Sequence, residues 1–306
     1  MRAVIPLLLA GAMTLLALAP LGVSDYGLGL LIGAVTYVTL ASAWALFSGH
    51  TRYVSLASVA FYGTGAYTVA VLNEALPYPL VLLVAGGIGA LMALVVGLST
   101  LRLAGVYFVI FTFGLAELVR QLITWYEVNV TGTLGRYIFL NITSRGIYWQ
   151  MLALAVATVG LTAFINRSRL GLALRVIGDD EVVAAHSGVN LARTKLIAFV
   201  LSATILTLAG AIASPRWVYV EPAIVFNPTV SFLVVIMALL GGANRLWGPA
   251  LGAVPLFLAF EWLSANFPDT YPIFLGLLFI AVVFLFPNGV LAGIEKLWAA
   301  RGRRAP

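Results

Sequence analysis

The segment PLVLLVAGGIGALMALVVGLSTL, residues 79–101, contains no charged side chain. As a helix rising 1.5 Å per residue, it is long enough to cross the roughly 30 Å hydrocarbon core of a bilayer. Similar segments recur along the whole chain, which is 62% hydrophobic and only 9% charged, with a mean hydropathy of +1.06. A soluble domain carries about 25% charged residues, and a β-barrel would need short alternating segments. The sequence therefore predicts an all-α polytopic membrane protein.

Ten apolar segments are predicted to form transmembrane or membrane-embedded helices. They lie at residues 4–22, 27–48, 57–75, 79–101, 104–126, 147–166, 195–214, 229–247, 249–267 and 271–289. We expect a single membrane domain over residues 1–306, with a polar loop at 167–194 and a tail at 290–306. The third segment is short and rich in Gly and Ser. It is either a broken or re-entrant helix, or a helix whose Gly63 and Gly65 permit close packing.

The distribution of basic residues predicts the orientation, because cations collect on the cytoplasmic side of membrane proteins. Ten spans with both termini in the cytoplasm place most of the 17 Lys and Arg residues on that side, including those of the 167–194 loop and the tail. An Ala-x-Ala at residues 17–19 resembles a signal-peptide cleavage site, but Pro20 follows it directly. We therefore expect the first helix to be retained.

Several kinds of chemistry have no support in the sequence. The chain has no cysteine, which excludes disulfides and thiolate metal sites, and its two histidines match no metal-binding motif. A P-loop needs Gly-Lys followed by Ser or Thr, whereas Lys195 and Lys296 follow Thr194 and Glu295. We expect no cofactor bound by this chain, no ATP binding through a P-loop and no enzymatic activity.

Charged residues inside predicted spans are rare, and each has a functional and a structural interpretation. Glu117 and Arg120 are three residues apart, so they share one helical face and can form an ion pair. Charges at this depth usually face the interior of a bundle and mark function, but such a pair can also fix helix packing. Glu261 in the ninth span has the same two interpretations.

A polar helix is predicted within VIGDDEVVAAHSGVN, residues 176–190. Acidic residues suit the first turn of a helix, where they stabilise its dipole and cap its amides. Glu181, Ala184, Ala185 and Gly188 follow the spacing of one helical face. That small, flat face suits docking into the groove of a partner protein. The alternative is a solvated interfacial helix without a partner.

Five stretches resemble LivM-type permeases, the membrane subunits of ABC importers for branched-chain amino acids. The most specific, RSRLGLALRVIGDDEVVAAHSGVNLARTKLIAFVLSATILTLAGAI at residues 167–212, is similar to their Ser-x-x-Gly-Arg-Ala-Leu-Arg-Ala-Ile region and the segment that follows. The others are YVSLASVAFYGTGAYTVAVL at 53–72, RLAGVYFVIFTFGLAELVR at 102–120, MALLGGANRLWGPALGA at 237–253 and FPNGVLAGI at 286–294. Their combination in this order is more specific than any single stretch.

The resemblance implies that the polar helix is the coupling helix that docks onto the ATPase. The residues it assigns to that helix are Asp179, Asp180, Glu181, Ala184, Ala185 and Gly188. The implied partners in the bacterial inner membrane are a paralogous permease, two P-loop ATPases that hydrolyse the ATP, and a solute-binding protein that meets the outer loops at 127–146 and 215–228.

Polar residues near the predicted pathway are candidates for contact with the solute, namely Ser55, Tyr62, Tyr67, Thr112 and Glu117. The chain departs from the family at Arg52, where a Gly is usual, and at Ala57-Ser58, where Gly-His is usual. The outer loop also reads TGTLGR at 131–136 where Thr-Gly-Gly-x-x-Gly is usual. This loop and Ala57-Ser58 border the expected pathway, so their departures leave open branched-chain amino acids or related solutes such as urea and amides. The alternative function is an ion-coupled secondary transporter using Glu117 and Glu261, which does not explain the polar helix.

Overall fold

A computed structural model describes residues 15–285 except Ala104. Within these residues the chain is almost entirely helical. The helices are α1 (Asp25–Thr51), α2 (Ser58–Leu72), α3 (Tyr78–Thr100), α4 (Val106–Tyr126), α5 (Ser144–Arg167), α6 (Arg169–Asp179), α7 (Glu181–His186), α8 (Leu191–Ala213), α9 (Pro222–Val225), α10 (Pro228–Gly241), α11 (Gly248–Asn266) and α12 (Tyr271–Leu285). Short 3-10 turns lie at Ala19–Leu21 and Ser214–Arg216, and a π-helical turn at Glu127–Thr131 continues α4.

Seven of the described helical segments are long and apolar enough to cross a membrane, and two shorter ones, Ser58–Leu72 and Tyr271–Val282, are also apolar. This confirms the all-α polytopic fold class. A helix occurs at each of the nine segments predicted from 27–48 onward. The first predicted segment, 4–22, lies largely outside the described residues, and the tail at 290–306 lies wholly outside them.

Local sequence signals account for many of the helix starts. A side chain of the residue before the first turn accepts a hydrogen bond from a backbone amide of that turn, which would otherwise lack a partner. The capping residues of this kind in the long helices are Ser24, Thr143, Asn190 and Asn227.

The core of the bundle is organised around α8, which packs against α1, α2 and α3. Because lipid is as apolar as a leucine side chain, helices in a membrane associate through close packing of small residues. A Cβ atom on Gly65 would lie 1.8 Å from the carbonyl oxygen of Thr207, and one on Gly210 would lie 1.9 Å from that of Tyr62. The glycines of α2 and α8 therefore bring the two backbones into contact.

The helix of the third predicted segment is too short to cross a membrane by itself. α2 has 15 residues, about 22 Å at 1.5 Å per residue, and irregular backbone at residues 52–57 precedes it. Such backbone is stable at membrane depth only where protein groups satisfy it. The indole Nε1 of Trp44 donates to the Ser55 carbonyl at 2.7 Å, and the Leu56 amide donates to the Thr112 hydroxyl at 3.1 Å. The close packing expected of the third segment is present, and the helix itself is continuous, with the irregular backbone just before it.

The two ends of the bundle differ in structure. α6 and α7 lie at one end, which we call the α6–α7 end. At the other end a short strand, β1 (Arg136–Tyr137), pairs antiparallel with β2 (Tyr219–Val220), and we call this the β end. The strands join loops that are far apart in the sequence, and the apolar pattern did not predict them.

Candidate functional site

The polar helix predicted within residues 176–190 is present as α7. Asp180 caps it, since its Oδ1 accepts hydrogen bonds from the amides of Val182 at 2.7 Å and Val183 at 3.1 Å. The preceding residue, Asp179, instead ends α6, and its carboxylate pairs with Arg52 at 2.9 Å. The acidic run thus separates two short helices and starts the second.

Gly188 terminates α7. Its φ of +82° lies in the left-handed region that favours glycine. Its amide donates to the Ala185 carbonyl at 3.0 Å, and the Val189 amide donates to that of Ala184 at 3.1 Å. This pair of bonds is a Schellman motif, which satisfies carbonyls at the end of a helix. The structure therefore gives Gly188 a conformational role at the end of the helix.

An almost buried lysine anchors α7 to the bundle. The Nζ of Lys195 lies 3.0 Å from the Oε1 of Glu181 and 3.2 Å from the hydroxyl of Tyr53, and it sits 4.5 Å above the centre of the Tyr53 ring. The side chain of Lys195 is only 5% exposed. Burial, together with the neighbouring Glu181 carboxylate, raises the pKa of Tyr53, which keeps its hydroxyl protonated.

The four residues predicted to form one docking face do not share one exposed surface. Ala184 is fully buried, and Glu181 is directed to Lys195, so only Ala185 and Gly188 are exposed. We correct the predicted face accordingly, because the side of α7 carrying Ala184 packs on the chain's own bundle.

The outward surface of α7 is formed by residues that the sequence did not single out. The side chains of Val182 and Val183 are 65% and 55% exposed, and Ala185 lies beside them. The signal that was missed is a valine pair in the first turn of a helix that otherwise reads as polar. We call Val182, Val183 and Ala185 the valine surface.

The structure does not bring the five predicted pathway residues into one site. Ser55 and Thr112 lie at the irregular segment before α2, where they bond its backbone. Tyr62 lines a cavity near the β end, and Tyr67 packs 6.5 Å from the ring of Phe226. Of the five, Tyr62 lines this cavity, while Glu117 lies apart on α4.

Glu117 forms a polar cluster on the outward side of α4. Its carboxylate accepts hydrogen bonds from Arg120 Nε at 2.9 Å and from Gln121 Nε2 at 2.9 Å. The predicted ion pair is confirmed. The Glu117 side chain is 41% exposed, so the cluster faces away from the core of this chain.

A buried acid organises the β end. The Glu127 side chain is 1% exposed, and its two oxygens accept hydrogen bonds from Arg136 Nε at 2.7 Å and the Gly135 amide at 2.6 Å. These bonds hold the chain at the start of β1. The Ile138 amide then donates to the Val218 carbonyl at 3.0 Å, which joins the loops at 127–146 and 215–228. The sequence showed Glu127 only as a loop acid.

A cavity of about 200 Å³ opens near the β end between α1, α2, α10 and α11. In the part of the chain that the structure describes, no three His, Asp or Glu residues are grouped as a metal site.

The family model described as "Branched-chain amino acid transport system / permease component" matches residues 27–283. The chain belongs to this permease family. It is 27% identical over 315 residues to the LivM permease of Salmonella typhimurium, with 92% of this chain and 73% of that protein aligned. The LivM permease of Escherichia coli is also 27% identical, over 88% of this chain and 72% of its own length.

Other permeases match over a smaller part of the chain. The Escherichia coli permease LivH is 29% identical over 50% of this chain and 49% of its own length. No solved structure matches the chain. The LivM-type resemblance that the motifs indicated is confirmed.

Proposed function

We propose that this permease is a transmembrane subunit of an ATP-driven importer for branched-chain amino acids or related small solutes in the bacterial inner membrane. The observation that carries the proposal is α7, a short helix fixed to the bundle by Lys195 that presents the valine surface away from it. Exposed apolar side chains on a rigid polar helix favour a protein partner. We propose that the partner on the valine surface is a separate ATPase subunit, which hydrolyses ATP on the cytoplasmic side.

A second permease is proposed to cover the outward face of α4. Of the long apolar helices, this one is the least covered by its own chain, with 17% of its apolar stretch buried. The cluster of Glu117, Arg120 and Gln121 lies near its middle, where contact with lipid would be costly. A paralogous permease that packs on this face would remove the cluster from lipid and place it at the interface between the two subunits.

A solute-binding protein is proposed to dock at the β end. The paired loops carry exposed aromatic and apolar side chains, of which Tyr137, Phe139 and Val218 are the most prominent. Aromatic residues are enriched in protein interfaces. The buried pair of Glu127 and Arg136 holds these loops in one arrangement before any partner arrives.

The ion-coupled transporter is not favoured. The matching family and the LivM relatives are permeases of branched-chain amino acid transport systems. Of the two acids that an ion-coupled mechanism would use, Glu117 is already held by Arg120 and Gln121, which leaves Glu261 alone. Such a mechanism also leaves α7 and the valine surface without a role.

The test is affinity purification of the tagged permease in mild detergent, with mass spectrometry of the proteins that accompany it. We expect two ATPase subunits and a second permease. The variant Val182→Asp should retain the second permease and lose the ATPases. Val218→Asp, an equally exposed valine at the β end, is the matched control and should retain both. A permease that purifies alone and transports without ATP would contradict the proposal.

A further inference from the structure

The cavity near the β end has aromatic walls. Tyr62 meets Trp217 edge-on with ring centres 6.2 Å apart, and Tyr37 meets Phe257 at 5.5 Å. All four residues line the cavity, and so does Gly33, whose lack of a side chain leaves room for the Phe257 ring. The volume of about 200 Å³ exceeds that of the ~150 Å³ apolar cavity known to admit benzene. A small apolar side chain therefore fits between these rings.

Two opposite charges lie on the wall of the same cavity. Arg216 reaches it from the turn after α8, and Glu261 from α11. Among the described residues, neither side chain has a hydrogen-bonding or ion-pair partner, whereas the buried carboxylate of Glu127 has two. Arg216 is exposed and Glu261 is half-buried, so both side chains are accessible at the cavity. The arrangement leaves both charges available to a ligand.

Gly29 leaves room for the guanidinium group of Arg216. A Cβ atom at this position would lie 2.8 Å from the terminal guanidinium nitrogen of Arg216. The guanidinium thus lies directly on the backbone of α1, beside the cavity. Arginine suits this position because its planar guanidinium can donate two parallel hydrogen bonds to a carboxylate.

We propose that this cavity binds a small zwitterionic amino acid during transport. Arg216 binds the α-carboxylate, Glu261 binds the α-ammonium group, and the aromatic walls enclose the apolar side chain. The inference rests on the proposed function and adds to it the site at which the permease itself holds the solute. It also accounts for Tyr62, which alone of the predicted pathway residues lines this cavity.

The test is equilibrium binding of tritiated L-leucine to the purified complex of permeases and ATPases, measured without the solute-binding protein. Arg216→Gln and Glu261→Gln should each weaken leucine binding roughly ten- to a hundred-fold, the usual loss for a hydrogen bond to a charged group. Arg145→Gln and Glu74→Gln are matched controls, because both residues are exposed and outside the cavity. They should bind leucine as the wild type does.

Competing ligands separate recognition from a general structural effect. Leucinol lacks the carboxylate, and isocaproate lacks the ammonium group. The wild-type complex should prefer leucine to both. Arg216→Gln should lose the preference over leucinol, and Glu261→Gln the preference over isocaproate. Gly29→Ala keeps both charges but displaces the Arg216 guanidinium, and should weaken the binding of leucine more than that of leucinol.

Distinct outcomes would overturn the inference and the proposed function. An assembled, ATP-hydrolysing complex that shows no saturable leucine binding, or whose Arg216 and Glu261 variants bind like the controls, would remove the site from this cavity and leave the importer intact. If the variants bind leucine, leucinol and isocaproate more weakly by the same factor, Arg216 and Glu261 have structural roles only. A permease that purifies without ATPases would instead refute the importer, and the inference with it.

Discussion

The most informative single residue at the α6–α7 end is Lys195. A lysine that is 5% exposed must have its charge compensated, and Glu181 is the acid that does so. Glu181 was predicted to contact the ATPase, but its carboxylate turns towards its own chain. A spacing argument assigns residues to a face of a helix, and it cannot say whether that face meets the bundle or a partner. This limit explains why the predicted coupling residues lie on both sides of α7.

We predict that Glu181→Gln destabilises the anchored helix. The substitution leaves the charge of Lys195 nearly buried without an acid, which should cost about 1–3 kcal/mol, reduced from the value for a fully buried pair because Glu181 is 34% exposed. Thermal unfolding of the complex in detergent measures the loss, and adding Lys195→Met should recover part of it. Asp179→Asn is the matched control, since the exposed pair with Arg52 contributes at most about 1 kcal/mol. Equal losses for Glu181→Gln and Asp179→Asn would contradict the anchor.

Arg52 stands where the resemblance to LivM-type permeases implies a glycine, and its backbone has the conformation that favours glycine. Its φ is 60°, and among the described non-glycine residues it alone has a positive φ. The left-handed conformation costs an ordinary residue about 1–2 kcal/mol. The departure from the family pattern is therefore compatible with the fold but strained.

We predict that Arg52→Gly is tolerated. Relief of the strain should offset the loss of the exposed ion pair with Asp179, so the free energy of unfolding should change by less than about 1 kcal/mol. Arg52→Val should destabilise by more, because a β-branched residue suits this conformation least. Thermal unfolding of both variants provides the measurement. A glycine variant clearly less stable than the wild type would show that the ion pair outweighs the backbone strain.

At the scale of elements, the contact between α2 and α8 depends on glycines. The apolar pattern predicted both helices, and the glycines of the third segment indicated close packing. The irregular backbone at 52–57 and the strand pairing of β1 with β2 could not be predicted in the same way. Both depend on bonds between distant residues, such as the one from Leu56 to Thr112.

We predict that Gly210→Ala destabilises the bundle and Gly114→Ala does not. A Cβ at Gly210 would meet the Tyr62 carbonyl, and backbone atoms cannot move aside as a flexible side chain can, so a cost of about 1–3 kcal/mol is expected. Nothing lies within 4 Å of a Cβ at Gly114, also in a helix, where alanine should be neutral or slightly stabilising. The measurement is the melting temperature of each variant in detergent, compared with that of the wild type. Equal melting temperatures would mean that α2 and α8 can separate without loss.

At the scale of the whole molecule, the exposed face of α4 is the proposed contact with the second permease. We predict that a photo-reactive benzoylphenylalanine replacing Leu118, which lies next to Glu117, cross-links to the partner permease in intact membranes. The same probe replacing Leu83 on α3, which is also exposed, is the control and should not. Cross-linking from position 83 alone would move the interface to another face and leave the polar cluster of α4 against lipid.

ATP hydrolysis by a partner docked on the valine surface is proposed to drive solute movement through this permease. The most direct test is leucine uptake by proteoliposomes that contain the purified complex and its solute-binding protein, with and without ATP on the side of the ATPases. Uptake is expected only with ATP. Val182→Asp should abolish it, and Val23→Asp, which changes an exposed valine outside α7 and outside the loops proposed to meet the solute-binding protein, should retain it. Uptake that proceeds without ATP, or that survives in the Val182→Asp complex, would contradict the proposal.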